Sequence, residues 1–351
     1  MTNDRLERAL ECSNTDDVPF IPAIYEHKAW FVNETPSRVA RDADLLAKAM
    51  VAEYESVQSD ALTVGVDVYN VEAEALGCEV IYYEGDDTSI PAISAEGAIY
   101  SEDADFKSMR LPDPEKDGRM PVNIEAARRV VEALGSEVPI RGALSGPFSM
   151  AANLVGPERL FMLTVTNPQF VKDLLIFAAN VAKRYGEAFV RTGCGVVVFD
   201  SQASPELLSP KMYRQFVLPP TRLLIDYFHN LGVKHVPLII GGNTTKILDA
   251  YLNSGANNLL CDFSADVHSF VVECSKSKRS FRRNIDSSDF LNVSAEDLRR
   301  RTLKAIDESE GFPGYVVGTS VVPYGTPLEK LKAIREAVIE HRSGGARRQL
   351  S

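Results

Sequence analysis

Cysteine and long apolar runs are both scarce in this chain, and each scarcity removes a class of protein. The 351 residues include five cysteines and one tryptophan. The cysteines are widely spaced and form no Cys-x-x-Cys pair, so the sequence indicates neither a disulfide framework nor a zinc ribbon. No apolar run is long enough to span a membrane, and the N-terminus is charged rather than similar to a secretion signal. These features predict a cytoplasmic protein.

Positive charge is also in deficit. The chain has 38 Lys and Arg residues against 49 Asp and Glu residues, which gives a formal net charge of -11. Binding to nucleic-acid phosphates needs clustered basic side chains, so we expect no nucleic-acid partner, and the lack of apolar runs argues against a membrane partner. Hydrophobic residues make up 45% and charged residues 25%, which is normal for a globular protein.

Eight short apolar runs alternate with longer helical patterns. Each run is rich in strand-forming residues and is followed by polar residues or glycine, as buried parallel strands are. The predicted strands are Phe20–Ile24, Leu62–Val66, Ile140–Leu144, Gly195–Phe199, Val236–Ile240, Asn258–Cys261, Ser280–Arg283 and Gly314–Val317. This alternation predicts an α/β protein with one (β/α)8 TIM barrel. A doubly wound sheet is the alternative, but no Gly-x-Gly-x-x-Gly turn follows the first strand.

Three other segments have a predicted arrangement. A helix should begin after Ser209 and run to about Asn230, and the pair Pro219-Pro220 should kink or split it. Residues 81–124 show little periodicity, which predicts a long excursion between strands two and three that packs over the barrel mouth. We expect the barrel to occupy residues 1–342 and residues 343–351 to form a flexible tail.

Polar residues follow the predicted strands, where the chemistry of a barrel is found. The candidates at these strand ends are Tyr25, Glu26, His27, Asp67, Tyr69, Glu72, Glu74, Asp200, Gln202, Asn243, Asp262, Asn284, Asp286 and Ser320. Helix capping is an equally good explanation for several of the Asp and Asn residues. A Glu-His pair at a strand end is harder to explain in this way, because burying both side chains is costly.

Seven segments, taken in order, carry a resemblance to a known family. They are Val66–Gly77, Leu111–Pro114, Gly146–Ala151, Asp200–Pro210, Gly242–Thr245, Asn284–Asp286 and Thr326-Pro327. In these segments the chain resembles the uroporphyrinogen decarboxylase superfamily, particularly its corrinoid-dependent methyltransferases. The resemblance extends from about Pro19 to Glu340 and implies a (β/α)8 barrel.

Two departures from the family pattern bear on the activity that the resemblance implies. Uroporphyrinogen decarboxylases are similar in an N-terminal arginine-rich loop that binds substrate carboxylates, but the matching region here, Ala23–Trp30, contains one lysine and no arginine. The catalytic aspartate of the family matches Asp67, whereas its substrate-binding tyrosine falls at Asn153. Porphyrin decarboxylation is therefore not expected.

The second departure concerns zinc. Coenzyme M methyltransferases of this superfamily resemble one another in a His-x-Cys pair before the Gly-Asn-Thr element and a later Cys. Those positions are Ile239, Gly241 and Ser320 here, so the soft ligands that would activate a thiol are missing. We therefore expect no zinc at the usual family position. A different metal set, such as Glu26, His27 and Asp67, has no motif to support it.

The remaining resemblance is to the first methyltransferase component of anaerobic O-demethylase systems. It implies transfer of a methyl group from a methoxylated, typically aromatic, substrate to the cobalt of a corrinoid (cobalamin) carried by a separate protein. An aryl ether leaves poorly unless its oxygen is protonated, and Glu26, His27 and Asp67 are the catalytic candidates for this step. Substrate contacts are expected from Tyr25, Trp30, Tyr69, Phe148, Asp200, Gln202 and Asn243.

Two other functions stay open at this stage. A decarboxylase of a smaller acid would need a cationic pocket, for which Lys28, Arg141, Arg282 and Arg283 are the nearby residues. A non-catalytic partner or corrinoid-binding scaffold is the other alternative. The sequence leaves the methyl donor open, and also whether the protein is a monomer or a homodimer.

Overall fold

The computed structural model describes residues 2–13, 18–94, 99–309 and 311–348. Its strands within these ranges are β1 Phe20–Ala23, β2 Leu62–Val64, β3 Val80–Ile81, β4 Ala92–Ile93, β5 Ile140–Ser145, β6 Gly195–Phe199, β7 Pro237–Ile239, β8 Asn258–Cys261, β9 Ser280–Ile285 and β10 Tyr315–Val321. Eight of them form one parallel sheet in the order β1-β10-β9-β8-β7-β6-β5-β2. This arrangement confirms the (β/α)8 barrel, and each predicted strand coincides with one of the eight.

The barrel closes where β1 meets β2. The Asp60 N–H donates to the Phe20 carbonyl at 2.8 Å, and the Phe20 N–H donates to the Asp60 carboxylate at 2.6 Å. Just beyond the strands, Lys28 Nζ donates to the carbonyls of Ile24 (2.7 Å) and Gly65 (3.0 Å). One main-chain hydrogen bond and the side chains of Asp60 and Lys28 therefore join the two edges, between which the described residues form no strand ladder.

Helices surround the barrel. Among the described residues they are α1 Thr2–Leu10, α2 Pro36–Val39, α3 Ala43–Val57, α4 Val71–Ala75, α5 Met120–Leu134, α6 Pro147–Val155, α7 Pro157–Thr166, α8 Pro168–Arg191, α9 Pro210–Met212, α10 Leu218–Asn230, α11 Leu248–Leu252, α12 Val267–Ser277, α13 Ser288–Asn292, α14 Ala295–Asp307 and α15 Leu328–Arg348. None of these helices is long and apolar enough to cross a membrane.

The helix that follows Ser209 takes an unexpected form. It begins at Pro210, where Ser209 Oγ accepts a hydrogen bond from the Met212 N–H, and continues without a break to Asn230. A π-helical turn over Tyr213–Val217 joins α9 to α10 just before Pro219-Pro220. The prolines have no N–H groups, and the wider π turn lies where the regular hydrogen-bond pattern would otherwise fail. The prolines therefore alter the helix locally and do not split it.

The excursion between β2 and β5 contains a small antiparallel hairpin formed by β3 and β4. Ile90, Pro91 and Ile93 of this hairpin line a cavity at the barrel mouth. Helix α5 begins at Met120, so the last residues of the predicted irregular stretch are helical, and residues 95–98 lie outside the described residues.

The two ends of the chain have different relations to the barrel. Helix α1 packs Leu6, Ala9 and Leu10 against Ile21 and Val316, and so covers the end of the barrel opposite the mouth. Helix α15 continues to Arg348, so residues 343–348 of the predicted tail are helical. Residues 349–351 lie outside the described part, and the division of the chain at residue 342 stays a prediction.

Candidate active site

A cavity of about 1030 Å³ opens at the C-terminal ends of the barrel strands. Its wall is mainly apolar and includes Val66, Val68, Phe199, Ile239, Leu260 and Val321. Four of the ten residues predicted for the site, Tyr25, Glu26, Asp67 and Tyr69, also line it. A large, mostly apolar cavity with a few polar groups is the usual form of a small-molecule site.

Three aromatic rings form one side of this cavity. Tyr25 and Tyr69 each contact Phe199 edge to face, with ring centroids 5.5 Å and 6.2 Å apart. The Tyr69 hydroxyl is hydrogen-bonded to Ser201. Burial raises the pKa of both tyrosines, so both stay neutral at physiological pH. The sequence indicates the two tyrosines but not Phe199, which ends an apolar strand pattern and looks like a core residue.

Glu26 is the ionisable group best placed for proton transfer. It follows β1 as the first residue of a 3-10 segment, Glu26–Val32, and its side chain lines the cavity although the residue is only 7% exposed. Among the described residues, no group forms a hydrogen bond with its Oε2 atom. Burial raises the pKa of Glu26 to about 7. A large fraction of this carboxyl is therefore protonated at neutral pH.

His27 and Trp30 lie away from the cavity wall. The His27 ring is completely buried, stacks on Trp30 with centroids 5.4 Å apart, and meets Phe31 edge to face. Burial lowers the pKa of His27 to about 4, so the imidazole is neutral. Both residues point elsewhere because the chain turns into the 3-10 segment directly after Glu26. Their predicted roles gain no support from this placement.

Asp67 lines the cavity as one member of a buried charge network. Arg119 donates two hydrogen bonds to the Asp67 carboxylate, at 2.7 and 2.6 Å, and a third to Glu74 at 2.5 Å. Asn70 adds a hydrogen bond to Asp67 at 3.2 Å. This forked arrangement needs the ionised carboxylate, so Asp67 is poorly suited to act as an acid. Arg119 lies just before α5, in the excursion, where no sequence pattern indicated it.

Asp200 and Phe148 stabilise the junction between β6 and α6. Asp200 is fully buried, and its carboxylate accepts hydrogen bonds from the Ser149 N–H at 2.7 Å and the Ser149 hydroxyl at 2.8 Å. Phe148 is also fully buried and packs against Phe161. Neither side chain lines the cavity, because the first turn of α6 directs them into the protein interior. Asp200 does not cap the 3-10 segment that follows it, as the capping alternative predicts, and instead accepts hydrogen bonds from the first turn of α6.

Gln202 and Asn243 are likewise absent from the cavity wall. The Gln202 N–H donates to the Ser149 hydroxyl at 3.1 Å, and the Asn243 side chain accepts from the Thr245 N–H at 3.2 Å. Asn243 thus caps the short 3-10 segment Thr244–Ile247. The substrate-orienting roles of these two residues stay predictions without support from their positions.

The three positions matched to zinc ligands, Ile239, Gly241 and Ser320, do line the cavity. Next to them, Asp262 accepts a hydrogen bond from the Gly242 N–H at 2.8 Å and so fixes the glycine turn. Within the described ranges, no group of three or more His, Cys, Asp or Glu side chains could hold a metal ion. Since an isoleucine, a glycine and a serine offer neither thiolate nor imidazole, these positions do not fit the zinc site that the family resemblance implies.

Among the four cations considered for an acidic substrate, only Arg282 lines the cavity. Lys28 is buried and pairs with Glu53 at 3.5 Å. Arg283 donates to main-chain carbonyls, including that of Ala265 at 3.0 Å. Arg141 is buried inside the barrel and lines a separate crevice at the strands' N-terminal end.

The barrel and its cavity define a (β/α)8 protein with a small-molecule site at the mouth, as in enzymes of this fold. The sequence matches the uroporphyrinogen decarboxylase (URO-D) family over residues 1–341. The chain therefore belongs to the URO-D family, which confirms the resemblance found in its motifs.

Similar proteins include two kinds of enzyme. The chain is 28% identical to the methylcobamide:CoM methyltransferase MtbA of Methanosarcina mazei over 86% of each protein. It is 25% identical to MtaA of Methanosarcina barkeri over 96% of this chain and 97% of that protein. The uroporphyrinogen decarboxylase of Alcanivorax borkumensis is 23% identical over 97% of this chain and 98% of its own.

A solved structure shares the fold. A methyltransferase from Methanosarcina mazei superimposes with a TM-score of 0.83 at 24% sequence identity, covering 97% of this chain and 98% of the other. The likeness agrees with the barrel described above.

Proposed function

We propose that this protein is a corrinoid-dependent methyltransferase that moves a methyl group from a methoxylated aromatic compound to the cobalt of a corrinoid carried by a separate protein. The observation that carries the proposal is Glu26, a buried carboxyl in the wall of an apolar, aromatic-lined cavity, where burial raises its pKa to about 7. Support for the reaction class comes from the relatives MtbA and MtaA, whose names describe methyl transfer from a methylcobamide.

The cavity suits an aromatic methyl donor. The rings of Tyr25, Phe199 and Tyr69 offer edges and faces against which a substrate ring can pack. At about 1030 Å³ the cavity exceeds the needs of one small aromatic molecule. The remaining space at the mouth suits the approach of a corrinoid presented by a partner protein.

The proposed step divides the chemistry between two participants. The reduced corrinoid, as co-substrate, supplies a strong cobalt(I) nucleophile that attacks the methyl carbon. The carbon–oxygen bond breaks, its electron pair stays on the ether oxygen, and that oxygen takes the Glu26 proton to leave as a phenol. General acids contribute on the order of 100- to 10,000-fold to such reactions. Asp67 accepts two hydrogen bonds from Arg119, and the proposal gives it no part in proton transfer.

Two features separate this proposal from the reactions named for the relatives. Thiol methylation through zinc lacks its ligands, since Ile239, Gly241 and Ser320 occupy the matching positions in the cavity wall. Porphyrin decarboxylation lacks the N-terminal arginines of the family, because Lys28 replaces them with a single cation that is already paired with Glu53.

One observation favours a second candidate, a decarboxylase of a small acid: Arg282 lines the cavity and would attract a carboxylate. A guanidinium bound to that carboxylate, however, stabilises the charged ground state more than the neutral carbon dioxide that must leave. We therefore rank decarboxylation second.

The test uses the whole protein with cob(I)alamin as the methyl acceptor and a panel of methoxylated aromatic compounds. The proposal predicts the visible spectrum of methylcobalamin and one phenol for each methyl group transferred. It also predicts that Glu26→Gln slows transfer strongly, while Glu55→Gln on the exposed face of α3 does not. Release of carbon dioxide from aromatic acids without methyl transfer would favour the second candidate. Neither product, with folded protein, would indicate a non-catalytic scaffold.

A further inference from the structure

Two arginines lie inside the barrel and have no acidic partner in the part of the chain that the structure describes. Arg141 on β5 is 9% exposed, and Arg282 on β9 is 5% exposed. Among the described residues, neither guanidinium has an ion-pair partner, and both Nε atoms have no hydrogen-bond partner. Buried cations are ordinarily paired, because an unpaired buried charge is expensive. Burial of two cations without such partners favours the binding of an anion beside them.

The two cations are close enough to influence each other. Burial, and to a smaller extent the neighbouring Arg282 cation, lower the pKa of Arg141 to about 10. The Tyr25 hydroxyl lies near Arg282, and the arginine cation acts to lower the pKa of that hydroxyl, which burial raises. Two like charges close together in the interior lower the stability of the folded protein, and a bound anion would reduce their repulsion.

The position of Arg282 connects this charge to the cavity. Its side chain lines the cavity wall together with Tyr25 and Leu260. Arg141 lies deeper, towards the crevice at the opposite end of the barrel. An anion bound at Arg282 would therefore lie at the cavity floor, with the charge of Arg141 behind it.

We propose that Arg282, reinforced by Arg141, forms a carboxylate-binding subsite at the floor of the cavity. If the protein has the proposed function, which this inference takes as its basis, the subsite identifies the methyl donor as a methoxylated aromatic carboxylate. The planar guanidinium suits a carboxylate because its N–H groups can form two parallel hydrogen bonds with the two oxygens. Tyr25, which lines the same cavity, lies beside this guanidinium.

The subsite can be tested without any methyl transfer. Isothermal titration of the full chain with benzoate and with benzamide compares a carboxylate with a neutral ligand of the same shape, and neither contains a methyl ether. We expect benzoate to bind about 10- to 100-fold more tightly than benzamide, as for a charge-assisted hydrogen-bonded pair. Arg282→Met should remove this preference and Arg141→Met should reduce it. Arg279→Met, which removes the same charge outside the cavity wall, should leave it intact.

Stability measurements distinguish a binding role from a structural one. In buffer without organic anions, Arg282→Met and Arg141→Met should raise the midpoint of thermal unfolding, because each removes an unpaired buried charge. Should Arg282→Met fail to fold, Arg282→Lys keeps the charge but loses the planar fork, and should weaken benzoate binding only. A lowered midpoint in both methionine variants, or unchanged benzoate affinity in a folded Arg282→Met protein, would overturn the proposal.

The outcomes separate this inference from the proposed function. Arginine-dependent benzoate binding without methyl transfer from any donor would keep the subsite and refute the methyltransferase. Equal methyl transfer from 3-methoxybenzoate and 3-methoxybenzamide, unaffected by Arg282→Met, would keep the methyltransferase and refute the subsite.

Discussion

Arg282 occupies the space that a side chain at Gly318 would need. A Cβ atom added to Gly318 would lie 2.6 Å from Cδ of Arg282, far inside normal contact distance. The two residues belong to the neighbouring strands β9 and β10, which pair in register beside them. The absence of a side chain on one strand therefore makes room for the arginine on the next.

This relationship predicts that Gly318→Ala disturbs Arg282. The added methyl group should displace the arginine, weaken benzoate binding and cost about 1 to 3 kcal/mol of stability, as overpacking does. Gly195→Ala is the matched control, because its Cβ would lie 3.7 Å from Cγ of Arg141, an ordinary contact. Calorimetry and chemical denaturation of the two variants measure both effects. Equal losses in the two variants would show that the contact with Arg282 is unimportant.

The proton on Glu26 predicts the pH dependence of methyl transfer. Since the protonated form is the active one and its pKa is about 7, the rate should be level in mild acid and fall about tenfold per pH unit above neutrality. Glu26→Gln should lose this descending limb together with most of the rate. Rates measured under saturating cob(I)alamin test this, and a rate that rises with pH through neutrality would rule out Glu26 as the acid.

The same group predicts a change in stability with pH. Its folded-state pKa of about 7 lies above its ordinary value of 4.5, so the folded protein holds the proton more tightly than the unfolded chain. This contribution to stability is complete below the ordinary value and is lost as the pH rises through about 7. Relative to the wild type, Glu26→Gln should gain up to about 3 kcal/mol between about pH 4 and pH 8. Urea unfolding at the two pH values measures the difference in stability between Glu26→Gln and the wild type. If that difference were the same at both pH values, burial would not raise the pKa of Glu26.

The Asp67–Arg119 pair predicts a large effect from removing one charge. Asp67→Asn leaves the buried Arg119 short of its main partner and should cost about 3 to 5 kcal/mol in the free energy of unfolding. Glu74→Gln removes the more exposed partner of the same arginine and should cost clearly less. Denaturation of both variants at neutral pH gives the comparison. Equal losses of stability in the two variants would mean that the two hydrogen bonds between Arg119 and Asp67 stabilise the protein no more than the bond to Glu74.

The wall positions Ile239, Gly241 and Ser320 predict the behaviour towards zinc. The purified protein should contain no stoichiometric zinc, and chelators should leave methyl transfer unchanged, because these side chains offer no soft donor. The triple variant Ile239→His, Gly241→Cys, Ser320→Cys should acquire tight zinc binding. Elemental analysis of both proteins measures this. Stoichiometric zinc in the unaltered protein would contradict the donor argument.

The fold was predictable because parallel strands have a strong local signal. Each of the eight apolar runs is buried on both faces, and such runs are visible one at a time in the sequence. Tyr25, Glu26, Asp67 and Tyr69 were predictable for the same reason, since they follow directly from strands whose ends form the mouth. The π turn before Pro219-Pro220 was not predictable, because it depends on how the whole helix packs.

The rest of the site depends on long-range contacts. Arg119 reaches Asp67 from an irregular segment 52 residues away along the chain, so no spacing rule connects them. Trp30 and Phe148 have the right chemistry for a pocket wall but lie away from it: Trp30 is half-buried against His27, and Phe148 is buried against Phe161. In the sequence, Arg282 is one of several candidate cations. Its lack of an acidic partner among the described residues is a property of the folded barrel.

Methyl transfer from 3-methoxybenzoate to cob(I)alamin tests the account most directly. With the wild-type protein we predict methylcobalamin and 3-hydroxybenzoate in equal amounts, and a rate reduced on the order of 100-fold or more in Glu26→Gln. A correctly folded wild-type protein that forms neither product from this or any methoxylated aromatic donor would contradict the proposed function.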